Sequence, residues 1–381
     1  MSNCVARMQN SMNCLVGDEI DVFSNHSLLK YTRPFDRGYL VNWQTEIDVW
    51  NRIFDADHLN ISPMNHSLVV TEPFLNPLVF QNEMNEVIFE DYMFESCCRR
   101  PAVSFAEYYF REYLQQNHDN RITTAHHGCM LVIDSGFSFT HVIPLINHKV
   151  VKNLSVRIDL GGKLLTNYLK EIISFRQMNV MDDFNLINQL KEDMCVVNND
   201  NITKFPDRSG DSFYGQKVFV LPDFQRTFRG AILDHDKIDD CSQFLKMNSK
   251  YIKVPTMLFY PTNIEMNQQG IIEAASNCIQ SFPSEEASLI CENVLLIGGN
   301  ARFRNFKEKI QFELRKQVEN LGLVDVSDFK SDSIVASWKG ASIFAEQAMD
   351  DIDMKSRHFI TRSEYEECGH YHCNKKFQQN W

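Results

Sequence analysis

Two segments of the chain carry residues whose types and spacing are suited to holding a phosphate-bearing ligand. In the first, the apolar run Met130–Ile133 ends on Asp134, the chain turns at Ser135–Gly136, and a second apolar run follows at Phe139–Ile146. Two β-like runs joined by a short Ser/Gly turn predict a hairpin. A carboxylate at the mouth of such a turn can face a phosphate-bound cation, while the N–H groups of the turn point at phosphate oxygens. Asp134 can equally be a strand-end residue that caps the turn.

The second segment is a strand that leads into a pair of glycines. The apolar run Asn293–Ile297 predicts a buried strand, Gly298 and Gly299 follow it, and a helical pattern starts at about Asn305. Glycines have no side chain, so a flat ligand can approach the backbone there, although a simple strand-to-helix turn would use them as well. Two such loops far apart in the chain indicate a cleft between two lobes that holds a nucleotide.

Composition and charge narrow the class of protein. A chain of 381 residues that is 44% apolar can bury a sizeable core, which we expect to be divided between two lobes. The formal charge of −12 argues against direct binding to the phosphates of DNA and fits basic protein partners such as histones. Eleven cysteines without the spacing of a disulfide framework predict reduced thiols. The N-terminus has no apolar signal segment, and no apolar run reaches the roughly 18 residues that a bilayer-spanning helix needs.

Helical and strand-like stretches alternate along the chain, which predicts α/β layers. Short strands are predicted at Ser67–Thr71 and Ser155–Asp159, and helices are predicted at Asn42–Phe54, Gln81–Glu90, Ala102–Leu114, Leu164–Arg176, Phe184–Cys195, Gln268–Ser281 and Asn305–Glu319. Residues 1–32 are polar and weakly patterned. The stretch Asn198–Gly215 is rich in Gly, Pro, Asn and Asp, which predicts an inserted surface loop.

These segments together resemble the actin family. LVIDSGFSFTH at Leu131–His141 is similar to the second phosphate loop of the actin fold, and LLIGGNARF at Leu295–Phe303 is similar to its adenosine-contacting Gly-Gly motif. Further matching stretches run from about Arg33 to Phe377, namely Arg37–Phe54, Leu68–Pro77, Ile158–Ile173, Leu190–Cys195 and Phe359–Gly369. The resemblance implies a bilobed α/β ATPase fold of the actin-like, ribonuclease-H-like type, with two lobes around a central nucleotide cleft.

The resemblance also implies a division into four subdomains. Residues 1–36 would be a remnant of the small subdomain 2, and residues 159–250 would form subdomain 4. Residues 37–124 with 338–381 would form subdomain 1, and residues 125–158 with 251–337 would form subdomain 3.

Matching positions imply a set of nucleotide-binding residues, namely Asp134, Ser135, Gly136, Gly162, Lys191, Glu192, Gly298 and Gly299. Several of them have an equally simple structural explanation. Lys191 and Glu192 can be solvated charges on an amphipathic helix, and Gly162 can merely permit tight helix packing. His141 matches the histidine that helps to order the attacking water in actins. A lone histidine beside a strand is more often structural, so we expect no catalytic residue.

The chain departs from the actin pattern at two points that concern phosphate and metal. No Asp-Asn-Gly turn and no phosphate-loop lysine occur in the first 30 residues, so we expect the first hairpin to be missing. Where actins carry Asp-Gly after the Ser-Gly turn, this chain has Phe137 and Ser138. Losing these charges weakens phosphate and metal binding. We therefore expect ATP to bind weakly or not at all, with Asp134 as the single contact to a nucleotide-borne cation.

The C-terminal stretch Cys368-Gly-His-Tyr-His-Cys373 is another cluster with metal-binding residue types. Structural zinc sites usually take their ligands from two separated pairs, whereas one short piece would supply all four here. We expect this segment to bind no metal.

Within the actin family, the likeness is to the nuclear actin-related proteins. It implies a non-catalytic subunit of a histone-variant-exchange chromatin-remodelling complex, nuclear with some cytoplasmic pool. The implied partners are a Swi2/Snf2-type remodeller ATPase, a small zinc-finger subunit and, indirectly, histones and the nucleosome, with no direct sequence-specific DNA binding and no membrane. The alternatives are a nucleotide-hydrolysing actin-like ATPase and a cytoskeletal actin-related protein.

Overall fold

The N-terminal part of the chain forms a small antiparallel sheet. The structure is a computed structural model that describes residues 2–8, 14–117, 128–198, 217–238, 242–329 and 333–379. The sheet consists of β1 (Val5–Met8), β2 (Cys14–Val16) and β3 (Leu29–Thr32) in the order β2-β1-β3, and α1 (Asp18–Val22) packs beside it. A core of Cys4, Ala6, Ile20 and Leu29 joins helix and sheet. This element was not predicted, because the polar sequence shows no clear alternation.

A short hairpin and an amphipathic helix follow. The hairpin consists of β4 (Phe35–Asp36) and β5 (Tyr39–Leu40), and α2 (Trp43–Phe54) begins directly after it. Asn42 caps the helix, since its side-chain oxygen accepts a hydrogen bond from the N–H of Thr45 at 3.1 Å. The predicted helix Asn42–Phe54 is therefore confirmed, with its apolar face on an aromatic cluster.

The first lobe is built on a three-stranded sheet. Its parallel strands β6 (Ser67–Glu72) and β7 (Ser96–Pro101) are connected by α3 (Leu78–Glu86), and α4 (Ala102–Gln116) follows β7. The helix predicted at Gln81–Glu90 starts earlier, after Pro77, and passes into a wider π-turn at Val87–Asp91. Proline is favourable at the start of a helix because its fixed backbone angle suits that position.

The second lobe is built on a six-stranded mixed sheet. Its first part is the antiparallel hairpin of β8 (Met130–Ser135) and β9 (Thr140–Ile146), followed by β10 (Lys149–Val150) and β11 (Val156–Ile158). Both of these later strands pair with β9. Two helices come next, α5 (Gly162–Arg176) and α6 (Phe184–Met194). The predicted hairpin around Asp134 is confirmed in position and in topology.

The remaining elements complete both lobes. They are β12 (Lys217–Val220), β13 (Ala231–Asp234), β14 (Phe244–Lys246), α7 (Ser249–Ile252), α8 (Ile271–Gln280), α9 (Ser284–Glu292), β15 (Val294–Ile297), α10 (Phe306–Gln317), β16 (Val326–Asp328), α11 (Ala336–Asp350), α12 (Ile352–His358), β17 (Ile360–Thr361) and α13 (Arg362–Gln379). The second-lobe sheet has the order β10-β9-β8-β15-β16, and the first-lobe sheet has the order β17-β7-β6. No helix in the described ranges is long and apolar enough to cross a membrane.

The two lobes share a packed interior around α4. This helix packs on α11 and also contacts β7 of the first lobe and β8 of the second. The approach of α11 is so close that a Cβ on Gly340 would lie 1.8 Å from the Phe105 carbonyl oxygen. Only glycine fits at such a crossing. The expected bilobed α/β architecture is confirmed.

A buried arginine ties the C-terminal helix to the first lobe. Arg99 on β7 is fully buried, and its Nε lies 3.3 Å from the Glu72 carboxylate on β6. Its Nη1 donates to the Asn85 side chain at 2.7 Å, and its Nη2 donates to the Asn374 side chain at 2.7 Å. The guanidinium also stacks on Phe377 at 4.7 Å. Arg99 therefore joins β6, β7, α3 and α13 in one polar network.

Replacing Arg99 with methionine should destabilise the first lobe strongly. The change leaves the Glu72 carboxylate buried without its cation, a situation that typically costs about 3–5 kcal/mol. Urea unfolding followed by circular dichroism should show this loss in the first unfolding transition. The exposed Arg226→Met is the control and should stay within about 0.5 kcal/mol of the wild type. Equal stability of the two variants would contradict the structural role of Arg99.

Candidate functional site

The two predicted ligand-facing loops meet at one edge of the second-lobe sheet. Strand β15 runs parallel to β8, and the register places Ile297 beside Asp134. Gly298 follows with φ of 89°, and a Cβ there would lie 2.3 Å from the Ser135 carbonyl oxygen and 3.0 Å from Asp134 Oδ1. A Cβ on Gly299 would meet nothing within 4 Å. Gly298 is thus needed for close packing, whereas Gly299 faces open space.

A buried asparagine fastens the Ser-Gly turn. Asn300 donates from Nδ2 to the Ser135 hydroxyl at 3.1 Å and to the Gly136 carbonyl oxygen at 2.9 Å. Ser135 Oγ also lies 2.8 Å from Thr140 Oγ1, which donates to the Leu160 carbonyl oxygen at 2.9 Å. The Ser135 side chain is therefore held in the interior of the lobe. Asn300 was not predicted, although its place directly after the Gly-Gly pair is a signal that could have identified it.

Lys191 and Gly162 are brought together, but inside the protein. The Lys191 ammonium donates to the Gly162 carbonyl oxygen at 3.1 Å, to Thr166 Oγ1 at 3.0 Å and to Asn188 Oδ1 at 2.8 Å. Burial lowers the pKa of Lys191 to about 8. Lys191 is consequently not a solvated surface charge, and its three donors already have acceptors. Gly162 also donates its N–H to the Gly136 carbonyl oxygen at 3.0 Å.

Glu192 points in another direction from Lys191. It is exposed, and its carboxylate accepts a hydrogen bond from Asn188 Nδ2 at 2.7 Å. Of the two adjacent charges, the structure buries the lysine and leaves the glutamate at the surface. This agrees with positions i and i+1 of a helix facing different sides.

The Asp134 carboxylate lies at the end of β8, beside the two turns. No described residue donates a hydrogen bond to its side chain, which keeps only partial contact with solvent. Desolvation by burial raises the pKa of Asp134 to about 6. At neutral pH the group is therefore ionised in an unfavourable environment, which a cation would relieve.

His141 lies opposite Asp134 across the β8–β9 hairpin. It is buried between the rings of Phe74 at 5.6 Å and Phe139 at 4.4 Å, and its Nε2 has no hydrogen-bond partner among the described residues. Burial, assisted by nearby Arg157, lowers the pKa of His141 to about 4. The imidazole is thus neutral at physiological pH.

Aromatic side chains in the turn contact residues from outside the second lobe. Arg33, just after β3, stacks on Phe137 at 5.6 Å and on Phe184 of α6 at 5.0 Å. Phe137 also meets Phe184 edge-on at 6.1 Å. Phe139 packs so tightly on Gly38 of the β4–β5 turn that a Cβ there would lie 1.8 Å from the ring. These contacts join the N-terminal part to the second lobe across the mouth of the cleft.

The C-terminal Cys/His cluster does not converge. Cys368 is exposed, whereas Cys373 is buried in the first-lobe core, where burial raises the pKa of its thiol to about 11. Gly369 between them has φ of 67° and kinks α13. No group of three His, Cys, Asp or Glu side chains placed to hold a metal occurs in the described parts of the chain. The absence of zinc stays a prediction.

The predicted surface insertion lies almost entirely outside the described residues. Asn198 is described, and its N–H donates to Thr256 Oγ1 at 3.0 Å. The chain is described again from Lys217, where β12 begins.

A bilobed α/β fold with an Asp-Ser-Gly turn packed against a Gly-Gly turn at the base of its cleft is the architecture of actin-like proteins. The family model for actin matches residues 1–378, and the chain belongs to the actin family.

The similar proteins within this family are actin-related proteins. The chain is 33% identical to Actin-related protein 6 of Oryza sativa subsp. indica over 412 residues, covering 98% of this chain and 92% of that protein. It is 34% identical to Actin-related protein 6 of Drosophila melanogaster over 322 residues, covering 83% and 80%. The corresponding values for Actin-related protein 6 of Arabidopsis thaliana are 31% over 387 residues, covering 95% and 88%. The chain is thus an actin-related protein.

The residues fit a nucleotide only in part. The unpaired Asp134 carboxylate suits a phosphate-borne cation, and the open space at Gly299 suits a flat group close to the backbone. The Lys191 ammonium and the Ser135 hydroxyl are engaged inside the lobe. A bound nucleotide would therefore be held mainly by Asp134 and by the backbone of the two turns.

Asp134→Asn should stabilise the protein at neutral pH. The pKa of Asp134 rises from 3.8 to about 6 on folding, so the folded state binds the extra proton between those values. The contribution of protonated Asp134 to the free energy of unfolding is therefore most favourable below pH 3.8, and it is lost as the pH rises through 6. At about 1.4 kcal/mol per pKa unit the gain is at most about 3 kcal/mol, reduced by the partial exposure of the carboxylate.

The free energies of unfolding of Asp134→Asn and wild type, measured at pH 7.5 and at pH 4.5, test whether the substitution stabilises the protein. The difference between Asp134→Asn and wild type should be largest at pH 7.5 and should shrink at pH 4.5. The exposed Asp350→Asn is the matched control and should show little difference at either pH. A destabilised Asp134→Asn at pH 7.5 would show that the carboxylate is well solvated or paired.

Proposed function

We propose that this chain is a non-catalytic actin-related subunit of a nuclear histone-variant-exchange chromatin-remodelling complex, where it acts as a structural and partner-binding module. The observation that carries the proposal is the chemistry of the turn after Ser135-Gly136. The position at which actins carry a cation-facing carboxylate holds Phe137, which is engaged by Arg33 and Phe184. A residue placed to capture a metal has been replaced by one that joins parts of the fold.

Hydrolysis would need charge at the phosphates and an activated water. Asp134 is one carboxylate where metal-dependent phosphate sites usually combine several charged groups. Lys191 is buried against three acceptors and does not reach outward. In this proposal ATP binds weakly or not at all, and hydrolysis belongs to a Swi2/Snf2-type ATPase partner.

A nucleotide-hydrolysing actin-like ATPase is the second candidate function. The neutral His141 imidazole with an unpartnered Nε2 lies across the hairpin from Asp134, as a residue that orients water would. Against it, the rings of Phe74 and Phe139 enclose the imidazole, which is only 2% exposed. A cytoskeletal role is the third alternative, and no observation favours it.

The surface supports protein partners more than nucleic acid. The net charge of −12 repels the phosphates of DNA and suits basic partners such as histones. The proposed partners are the remodeller ATPase and a small zinc-finger subunit, with histones and the nucleosome reached indirectly. The proposed location is the nucleus, with some cytoplasmic pool, and entry would depend on those partners.

Purified protein should not turn over ATP above the rate of buffer. The first physical reason is that Phe137 stands where a carboxylate would recruit the metal ion. The second is that Lys191 donates inside the lobe, so it cannot supply a charged hydrogen bond to a phosphate, which would contribute roughly 1.5–3 kcal/mol. A coupled phosphate-release assay with and without magnesium is the measurement. Steady turnover that disappears in Asp134→Ala and persists in Asp350→Ala would establish the ATPase alternative.

Affinity purification from nuclear extract should recover a remodeller complex. We expect a large Swi2/Snf2 ATPase and a small zinc-finger protein at fixed stoichiometry, identified by mass spectrometry. Obligate interfaces commonly bury roughly 2,000 Å² or more, so the association should survive moderate salt. Recovery of cytoplasmic filament proteins without any remodeller ATPase would refute the proposed function and favour the cytoskeletal alternative.

A further inference from the structure

A large cavity opens between the N-terminal sheet and the second lobe, next to the turn that follows Asp134. Its volume is about 1150 Å³. One wall is formed by the end of β3 and the β4–β5 hairpin, and the other by the start of α6 and the loop between β12 and β13. Phe137 and Ser138 line its inner end. We propose that this cavity, which we call the outer cavity, binds an acidic peptide segment that carries an aromatic side chain.

Most cations of the outer cavity have no carboxylate partner among the described residues. Five basic side chains line it, namely Lys30, Arg33, Arg37, Lys163 and Arg229. Only Lys163 has an acidic group within 4.0 Å, the exposed Asp36 at that limiting distance, while the described residues offer none to the other four. Such a group of unpaired cations is unexpected in a chain with a net charge of −12, where carboxylates are in excess. Carboxylates of a ligand would supply the missing partners.

The acidic residues of the outer cavity do not cancel this positive charge. They are Asp21, Asp182 and Asp183. Asp21 already accepts hydrogen bonds from the hydroxyl at 2.5 Å and the N–H at 3.2 Å of Ser2. Asp182 and Asp183 lie together at the N-terminal end of α6, where the helix dipole favours negative charge. Five cations thus face three acids, of which Asp21 is already engaged, so the lining keeps an excess of positive charge.

Aromatic rings supply the second half of the recognition. Rings line both walls, namely Tyr31 and Phe35 on the sheet side and Phe184, Phe224 and Phe228 on the opposite side. The loop that presents Phe224, Phe228 and Arg229 is rigidly shaped. The Asp223 carboxylate accepts hydrogen bonds from the N–H groups of Gln225 at 3.0 Å, Arg226 at 2.8 Å and Thr227 at 2.9 Å.

Size and charge placement favour a peptide over a nucleotide. Small-molecule sites usually enclose about 300–1,000 Å³, and this cavity exceeds that range. Its cations come from both sides of the cavity, Lys30, Arg33 and Arg37 from the N-terminal part and Lys163 and Arg229 from the part of the chain after β8. An extended segment with separated carboxylates and one aromatic side chain can contact the cations and the rings of both walls.

Fluorescence anisotropy with a defined probe tests the inference, which rests on the proposed partner-binding function. The probe is a fluorescein-labelled 12-residue peptide in which Asp and Glu are separated by Ser, with one central Trp, and it is compared with the same peptide carrying Ala for Trp. Wild-type protein should bind the Trp probe more tightly than the Ala probe. Lys30→Gln/Arg229→Gln should weaken binding at least about fivefold through lost charge-assisted contacts, and Phe228→Ala should erase the preference for Trp.

A matched double variant controls for the change in net charge. Lys355→Gln/Lys375→Gln removes two cations from the C-terminal helices and should leave affinity within about twofold of the wild type, because surface charges distant from the ligand are screened by salt. Equal weakening by both double variants would indicate non-specific attraction and overturn the proposal. Displacement of the bound Trp probe by an equal concentration of ATP would also overturn it. Because the assay uses the purified chain alone, failure of the remodeller purification leaves its result intact.

Discussion

The parallel pairing of β15 with β8 is the constraint on which the candidate site depends. It brings the ends of two distant chain segments to the same edge of the sheet, with Ile297 beside Asp134. A slip by one residue would turn Asp134 to the other face of the sheet, because side chains alternate along a strand. Both faces are buried, so a slip would also exchange the side chains of two separate cores and disturb their close packing. The Gly298 contact and the Asn300 hydrogen bonds are possible only in this register.

The turn after β8 carries aromatic side chains that make contacts within the protein, where a carboxylate would bind a metal ion. A carboxylate there would serve a metal ion, whereas Phe137 and Phe139 contact Arg33 and Gly38 from the opposite side of the cleft. Cation–π contacts contribute roughly 0.5–2 kcal/mol each, depending on desolvation. The cleft is therefore held together at its mouth by the protein's own side chains, which suits a chain whose shape is recognised by partners. Asp134 and His141 remain as groups whose pKa values are shifted by burial and whose side chains no described residue neutralises.

Local patterns predicted the hairpin around Asp134 and the helix α2 because the information for both lies within a few neighbouring residues. The N-terminal sheet escaped prediction, since its strands are only three or four residues long and its polar residues do not alternate. Periodicity within α6 could not decide whether Lys191 faces water, because two of its three acceptors belong to another helix. They are Gly162 and Thr166 of α5, while Asn188 lies on α6 itself. Arg99 is the extreme case, since a charged residue in a buried strand is explained only by a partner 275 residues away.

That separation has a consequence for biosynthesis. The sheet of the first lobe needs β17, and the Arg99 network needs Asn374, so both wait until the ribosome has passed these residues. Until then the Arg99 guanidinium and the Glu72 carboxylate lack part of their surroundings, and the apolar side of α4 lacks its cover from α11. At synthesis rates of about 5–20 residues per second this interval lasts many seconds. During this interval the nascent first lobe exposes an unfinished sheet edge and an uncovered helix face, and the second lobe, whose sheet is complete by Asp328, can fold ahead of it.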